Sequence, residues 1–164
     1  MKELVIIRHG KSSWDVEGIS DIDRTLKERG INDGYKVAER LISKGIKPDK
    51  IFSSSAARAI HSALIFARIL GYPSNEITAI EDIYNAEINR ILNLIKQVNG
   101  NIQTLMLFGH NPTFTELANH FVGNKIDNIP TTGIVHIKFS ANSWPEVDKS
   151  NVEDWLFDFP KNIR

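Results

Sequence analysis

The chain has no cysteine among its 164 residues, which excludes a disulfide framework, a thiolate nucleophile and a cysteine-ligated zinc site. It also lacks an excess of charge of either sign, because twenty basic residues balance twenty acidic ones. A neutral chain has no overall field that would attract nucleic acid or an anionic membrane. We therefore expect neither of these partners, and we expect any bound anion to be held by a local site.

Long apolar segments are missing as well. The first apolar run, Leu4 to Ile7, ends at Arg8 and is too short for a signal peptide or a membrane span, which predicts a cytoplasmic protein. A hydrophobic content of 41% is enough for one continuous core. Since there is no repeat, low-complexity stretch or linker, we expect a single domain over residues 1–164.

Short apolar runs alternate with helical periodicity along the chain. The predicted buried strands are Leu4–Ile7, Lys50–Phe52, Ile77–Ile80 and Thr104–Phe108. The predicted helices follow caps at Thr25, Ser55 and Asn111–Pro112, and one further helix begins near Glu87. Ile134–Phe139 and the alternation of Trp155, Phe157 and Phe159 indicate two more strands. This order predicts an α/β fold, a three-layer helix/sheet/helix sandwich whose mostly parallel sheet has antiparallel strands at one edge.

Arginine and histidine side chains lie at the ends of three predicted strands. Arg8 and His9 follow the first strand, Arg58 lies just past the second, and His110 follows the fourth. Ligands of parallel sheets bind at the carboxyl ends of the strands, so the fold would gather these residues. Two guanidinium groups and two helix amino termini around one point suit the oxygens of a phosphoryl group.

Each of these residues also has a structural interpretation when taken singly. A strand often ends in polar residues and a turn glycine, Arg58 could be a surface ion-pair partner, and His110 could bond to backbone. Their joint placement favours a phosphate pocket. His61 would lie at the edge of that pocket, whereas His120 and His136 have the positions of a helix-surface and a strand residue. None of these three is predicted to be a ligand.

Five segments, taken in order, match a known family along nearly the whole chain: LVIIRHGKSSWD, DIDRTLKERG, PDKIFSSSAARAIHSA, LMLFGHNPTFTELA and IPTTGIV. They resemble the histidine phosphatase superfamily and, more narrowly, its SixA-like phosphohistidine phosphatases. The resemblance implies a phosphoglycerate-mutase-like fold and a nucleophile at His9, with Arg8, Arg58 and His110 binding the phosphoryl group. The sequence departs from close relatives of this branch, which often have alanine at Gly10, proline at Thr25, and glutamine and threonine at His61-Ser62.

The mechanism that follows has two steps and needs neither a metal nor a cofactor, because the arginines neutralise the phosphate charge. Neutral His9 attacks phosphorus, and water then hydrolyses the phosphohistidine. The donor of the leaving-group proton stays open. Larger ester-cleaving relatives have a glutamate near the third strand, which makes Glu81 our first choice and leaves Asp82, Glu87 and Asp15 as alternatives.

The expected substrate is phosphohistidine on a protein, because only about ten residues separate the third strand from the helix near Glu87 and leave no room for a lid. Hydrolysis of small phosphoesters is the main alternative. A metal hydrolase is disfavoured because no HExxH, paired-histidine or aspartate-rich motif is present. A phosphate-binding module without turnover would use the same residues, and burst release of phosphate would distinguish an enzyme from it.

Overall fold

The computed structural model describes residues 1–162 and contains one six-stranded sheet. The strands are β1 (Lys2–Arg8), β2 (Lys50–Ser54), β3 (Thr78–Ile80), β4 (Thr104–Gly109), β5 (Ile134–Phe139) and β6 (Val152–Asp158). The helices are α1 (Glu28–Ser43), α2 (Ala57–Leu70), α3 (Ile88–Lys96) and α4 (Thr113–Val122).

The sheet order is β3-β2-β4-β1-β5-β6. The first four strands along the chain pair in parallel, whereas β5 pairs antiparallel with β1, and β6 antiparallel with β5. Antiparallel strands therefore lie at one edge of a mostly parallel sheet. The predicted three-layer α/β architecture is confirmed.

Two hydrophobic cores cover the two faces of the sheet. Side chains of β1 alternate between them: Leu4 and Ile6 pack with residues of α3 and α4, while Val5 and Ile7 pack with residues of α1 and α2. All four are fully buried. A strand covered on both faces needs consecutive apolar residues, which is why this run could be read from the sequence.

The start of the first helix differs from the prediction. The residue before α1 is Lys27, not Thr25. The backbone carbonyl of Thr25 instead accepts a hydrogen bond from the Ser13 amide at 2.7 Å, and Leu26 forms an isolated antiparallel bridge with Ser12. These contacts hold the segment extended and tie it to the loop after β1, so the helix begins later.

The two caps predicted beside the candidate site are also wrong by one residue. Helix α2 has Ala56 at its N-cap instead of Ser55, because the hydroxyl of Ser54 already accepts from the Ala56 amide at 3.1 Å. Helix α4 has Pro112 at its N-cap, while the Asn111 side chain accepts from the amide and hydroxyl of Thr115. Both helices nevertheless begin directly beside the ends of β2 and β4.

Candidate active site

His9 and His110 are brought together by the pairing of β1 with β4. Arg8 is opposite Gly109 in the register of these strands, and the amide of His9 donates to the Gly109 carbonyl at 3.1 Å. The residues after each strand therefore leave the sheet side by side. The centroids of the two imidazole rings are 5.0 Å apart.

Arg58 reaches the same place from the first turn of α2, where it was expected. Its side chain is buried, with 5% exposure. Nη1 donates to the backbone carbonyl of Asp21 at 2.7 Å, and Nη2 donates to its carboxylate at 3.0 Å. Burial lowers the pKa of both His9 and His110, and the positive charges of Arg58 and Arg8 add to this shift. His9, the predicted nucleophile, and the three residues predicted to bind the phosphoryl group thus form one cluster.

The hydrogen bond of His9 fixes the protonation of its ring. Nδ1 lies 2.7 Å from the Gly10 carbonyl oxygen, which can only accept, so Nδ1 holds the hydrogen. Burial, above all, lowers the pKa of His9 to about 3, and the charges of His110, Arg58 and Arg8 act in the same direction. The ring is therefore neutral near pH 7, and its lone pair is on Nε2, which bonds to no other described residue.

His110 is fixed by a serine at the end of β2. Its Nε2 is 2.8 Å from the Ser54 hydroxyl oxygen. Burial, followed by the positive charge of Arg58, lowers the pKa of His110 to about 4, although the negative charge of Asp21 opposes this shift. Nδ1, the other ring nitrogen, is buried and has no hydrogen-bond partner among the described residues. This nitrogen remains available to a ligand.

Buried polar atoms without partners are concentrated in this region. Within residues 1–162 they are Arg8 Nε, Ser55 Oγ, Arg58 Nε, His110 Nδ1 and Thr132 Oγ1. The backbone amide of Thr132 donates to the carbonyls of Arg8 and His9, which places its side chain beside them. Unpaired buried donors are costly, and a bound oxyanion would satisfy several of them at once. The arrangement is that of an anion pocket beside a neutral histidine, His9, whose ring lies 5.0 Å from that of His110.

Asp21 is a member of the site that the sequence reasoning missed. Its carboxylate accepts from the Tyr84 hydroxyl at 2.6 Å, from Arg58 at 3.0 Å and from Arg24 at 3.1 Å. The hydrogen bond from Tyr84, followed by those from Arg58 and Arg24, holds the pKa of Asp21 well below its usual range. The ring of Tyr84 in turn lies 5.5 Å from that of His110, edge to face. The only sequence signal is that Asp21 and Arg24 lie in the segment DIDRTLKERG.

A family model for the histidine phosphatase superfamily (branch 1) matches residues 4–89. The chain belongs to this superfamily. An uncharacterized chloroplastic protein of Arabidopsis thaliana is 31% identical over 153 residues, which cover 88% of this chain and 70% of the relative.

Solved structures give the same assignment. A protein assigned as phosphohistidine phosphatase SixA from Agrobacterium tumefaciens superimposes with a TM-score of 0.78 at 28% identity, covering 94% of this chain and 97% of its own. The protein histidine phosphatase SixA in complex with tungstate has the same TM-score at 18% identity, with coverages of 96% and 97%, and supports the fold alone. The resemblance to SixA-like members of the superfamily is confirmed, and it supports a phosphatase activity.

Glu81 is not brought into contact with the four clustered residues. It begins a short 3-10 helix, Glu81–Ile83, and its exposed carboxylate makes no hydrogen bond or ion pair with any residue from 1 to 162. Among the alternatives, Asp82 pairs with Arg90 at 3.0 Å, and Glu87 is the exposed N-cap of α3. The role of Glu81 as a proton donor, expected from larger members of the superfamily, stays a prediction.

The remaining histidines occupy separate positions. His120 is exposed on α4, and His136 in β5 lies 2.7 Å from the carboxylate of Glu3. His61 is partly buried on α2, and this burial lowers its pKa. In the part of the chain from residue 1 to 162, no three histidine, aspartate or glutamate side chains cluster in a way that could hold a metal ion. Over the same range, no helix is long and apolar enough to span a bilayer.

Proposed function

We propose that this chain is a metal-independent phosphatase that forms a phosphohistidine intermediate on His9 and removes phosphate from phosphohistidine on proteins. The observation that supports it best is the free Nε2 lone pair of a neutral, buried His9 beside the unpartnered donors of Arg8, Arg58 and His110. A nucleophile and a phosphate pocket are thereby combined in one place.

The first step transfers the phosphoryl group to the enzyme. Phosphoryl oxygens accept hydrogen bonds from Arg8, Arg58 and Nδ1 of His110, while Nε2 of His9 attacks phosphorus in line with the leaving group. The bond from phosphorus to Nε2 forms as the bond to the leaving group breaks. Positive charge that develops on the ring strengthens the hydrogen bond from Nδ1 to the Gly10 carbonyl, which lies 2.7 Å away.

The second step releases phosphate. Water attacks the phosphorus of phospho-His9, the bond to Nε2 breaks, and inorganic phosphate leaves while the ring returns to its neutral form. The same donors stabilise the transferring group in both steps, since they surround its oxygens and not the leaving group.

The choice of substrate follows from the leaving group. Asp21 contacts the cluster through Arg58, and the lowered pKa of its carboxyl keeps it deprotonated, so it is a poor proton donor. An alkoxide needs such a donor because its conjugate acid has a pKa near that of water, about 16. An imidazole already protonated on its other nitrogen leaves as a neutral ring whose conjugate acid has a pKa of about 6.5. A site in which the contacting carboxylate cannot donate a proton to the leaving group therefore favours phosphohistidine over an alkyl phosphoester.

A comparison of substrates tests the proposed specificity. Measurements of kcat/KM should show faster turnover of a phosphohistidine protein than of serine phosphate or sugar phosphates. Glu81→Gln should slow ester cleavage more than phosphohistidine cleavage if Glu81 donates the proton to esters. Equal or faster turnover of an alkyl phosphoester by the wild type, with a large loss in the variant, would instead assign the chain as a small-molecule phosphomonoesterase.

Trapping tests the intermediate in the same enzyme. Rapid quenching should give phosphate bound to His9 that survives alkali and is lost in acid, as expected of a phosphoramidate, and His9→Ala should abolish both the adduct and turnover. Chelators should have no effect. An acid-stable adduct, or unchanged activity of the alanine variant, would refute the mechanism, whereas phosphate binding without any burst would indicate a binding module.

A further inference from the structure

A groove of about 770 Å³ runs along α3 beside the candidate site. It begins at Tyr84 and Asn85 and extends along the helix to Gln97. Asn85 and Ala86 also line a smaller cavity of about 210 Å³ that reaches His110. The groove therefore borders a cavity that reaches His110, and a chain bound in the groove would lie next to a phosphorylated group at His9.

Side-chain amides line this groove at a regular spacing. Asn85, Asn89, Asn93 and Gln97 follow one another every four residues, which puts Asn89 and Asn93 on the same face of α3. All four are exposed, and their side-chain amides bond to none of the residues from 1 to 162. An amide both donates and accepts hydrogen bonds, so it can bind either polar group of a polypeptide backbone.

The spacing of the amides matches an extended chain. Four residues of an α-helix rise by about 6 Å. Two residues of an extended strand advance by about 6.7 Å, and alternate residues present their backbone groups to the same side. The row from Asn89 to Gln97 spans about 12 Å, the length of roughly four extended residues. Successive amides can therefore meet alternate residues of one extended segment.

The charge of the groove narrows the kind of segment that it fits. Glu81, Asp82 and Glu87 line it, together with a single arginine, Arg90, which is paired with Asp82. The acidic excess disfavours small phosphorylated metabolites with further negative groups. It favours a polypeptide whose residues beside the phosphohistidine are neutral or basic.

We propose that this groove, bounded by Asn85 and Gln97, binds the extended polypeptide segment next to the substrate phosphohistidine through hydrogen bonds from the amide row to its main chain. The proposal rests on the proposed function and names the part of the substrate that the enzyme contacts beyond the phosphoryl group. Main-chain recognition of this type is largely independent of the partner's sequence.

The test compares a long substrate with a short one. The long substrate is an alanine-based peptide of about ten residues, enough to extend past the amide row, with one central phosphohistidine; the short one is free phosphohistidine. The enzyme variant is Asn89→Ala combined with Asn93→Ala, which suits an exposed helix because alanine has the higher helix propensity. Asn32→Ala is the matched control, since Asn32 is exposed on α1, across the sheet from α3.

In the double variant, kcat/KM for the peptide should fall about ten-fold, mainly through KM, as expected for two lost hydrogen bonds. Turnover of free phosphohistidine should be unchanged, and Asn32→Ala should behave as the wild type with both substrates. Equal losses on both substrates, or no loss on the peptide, would overturn the groove proposal and leave the proposed function standing. Failure of the wild type to hydrolyse either phosphohistidine substrate would overturn the proposed function, and the groove proposal with it.

The charge preference gives a second measurement on the wild type. Peptides with lysine beside the phosphohistidine should be turned over faster than those with glutamate, and the difference should shrink at high salt. Combining Glu81→Gln with Glu87→Gln should also reduce this difference. Faster turnover of the glutamate peptide would contradict the proposal.

Discussion

The imidazole of His9 has lost most of its contact with water, since the residue is only 7% exposed. A positive charge there would be poorly solvated and would face Arg8 and Arg58, so the pKa of His9 falls to about 3. An exposed histidine, with a pKa near about 6.5, is partly protonated just below neutral pH. Burial therefore keeps the proposed nucleophile neutral over the whole physiological pH range.

The same shift makes stability depend on pH. Between pH 6.5 and about 3 the unfolded chain binds a proton at His9 and the folded chain does not. The free energy of unfolding is therefore unaffected by this group above pH 6.5 and decreases as the pH falls toward 3. At pH 4.5, about two pH units below the ordinary pKa of histidine, the loss attributable to His9 should be about 3 kcal/mol. Denaturant titrations from pH 7 to 4.5 should show a shallower decline for His9→Gln than for the wild type. Changing the exposed His120 to glutamine should leave the decline unaltered; equal slopes for the wild type and His9→Gln would contradict the prediction.

Asp21 holds one end of the Arg58 guanidinium through both its backbone carbonyl and its carboxylate. The opposite edge of the group, at Nε, is buried and unpartnered. Because Asp21 already holds the guanidinium in place, Arg58 can donate a hydrogen bond from Nε to a ligand without a further loss of side-chain conformational entropy. Asp21 is thus a positioning residue that acts through Arg58.

Asp21→Asn should lower kcat/KM about ten-fold, because an amide cannot hold Arg58 and Arg24 with the strength of a carboxylate. The loss should be smaller in an Arg58→Ala background, where there is no guanidinium to position. Steady-state kinetics of the two single variants and the double variant give this coupling directly. Asp23→Asn, in the same loop, is the control. Increased activity of Asp21→Asn would mean that Asp21 competes with phosphate for Arg58.

At the scale of helices and strands, the sequence predicted the features that depend on the local order of apolar and polar residues. The run Leu4 to Ile7 identified a strand buried on both faces, and the positions of Arg8, His9 and His110 at strand ends followed from it. The predicted cap at Ser55 was wrong because the hydroxyl of the neighbouring Ser54 accepts from the Ala56 amide. At the other helix, the side chain of Asn111 does accept from the Thr115 amide, but the N-cap position falls one residue later, at Pro112. Which of several adjacent polar side chains accepts the free amides at the start of a helix depends on the backbone conformation there, which the sequence pattern does not determine.

The contacts that Asp21 makes with distant parts of the chain could not be predicted. Asp21 meets Arg58 across 37 residues and Tyr84 across 63, and no spacing rule joins a loop residue to residues so far away in the sequence. Their contact depends on how the loop after β1 packs against α1. There, a side chain on Gly30 would collide with the backbone of Lys11, so only glycine permits the close approach. The cluster of Arg8, His9, Arg58 and His110 was therefore predictable, whereas Asp21 and Tyr84, which contact it from other parts of the chain, were not.

At the scale of the whole molecule, the formal net charge is zero, so no overall electric field attracts anions. The binding of an anion therefore depends on the local cluster. That cluster joins elements distant in sequence: the end of β1, the start of α2, the residue after β4 and Thr132 before β5. Unfolding separates all of them. An anion that binds only the assembled site consequently stabilises the entire fold by mass action.

Tungstate, a phosphate analogue, should therefore raise the melting temperature. At a concentration of about one hundred times its Kd, it adds about 2.7 kcal/mol to the free energy of unfolding. For a chain of this size, that corresponds to a rise in Tm of roughly 5–10 °C, measurable by differential scanning calorimetry. Arg58→Ala should lose most of the rise because its guanidinium supplies an unpartnered buried donor, whereas Arg29→Ala should retain it because Arg29 is exposed on α1. An equal loss in both variants would mean that tungstate binds elsewhere, and no rise in the wild type would contradict an assembled anion pocket.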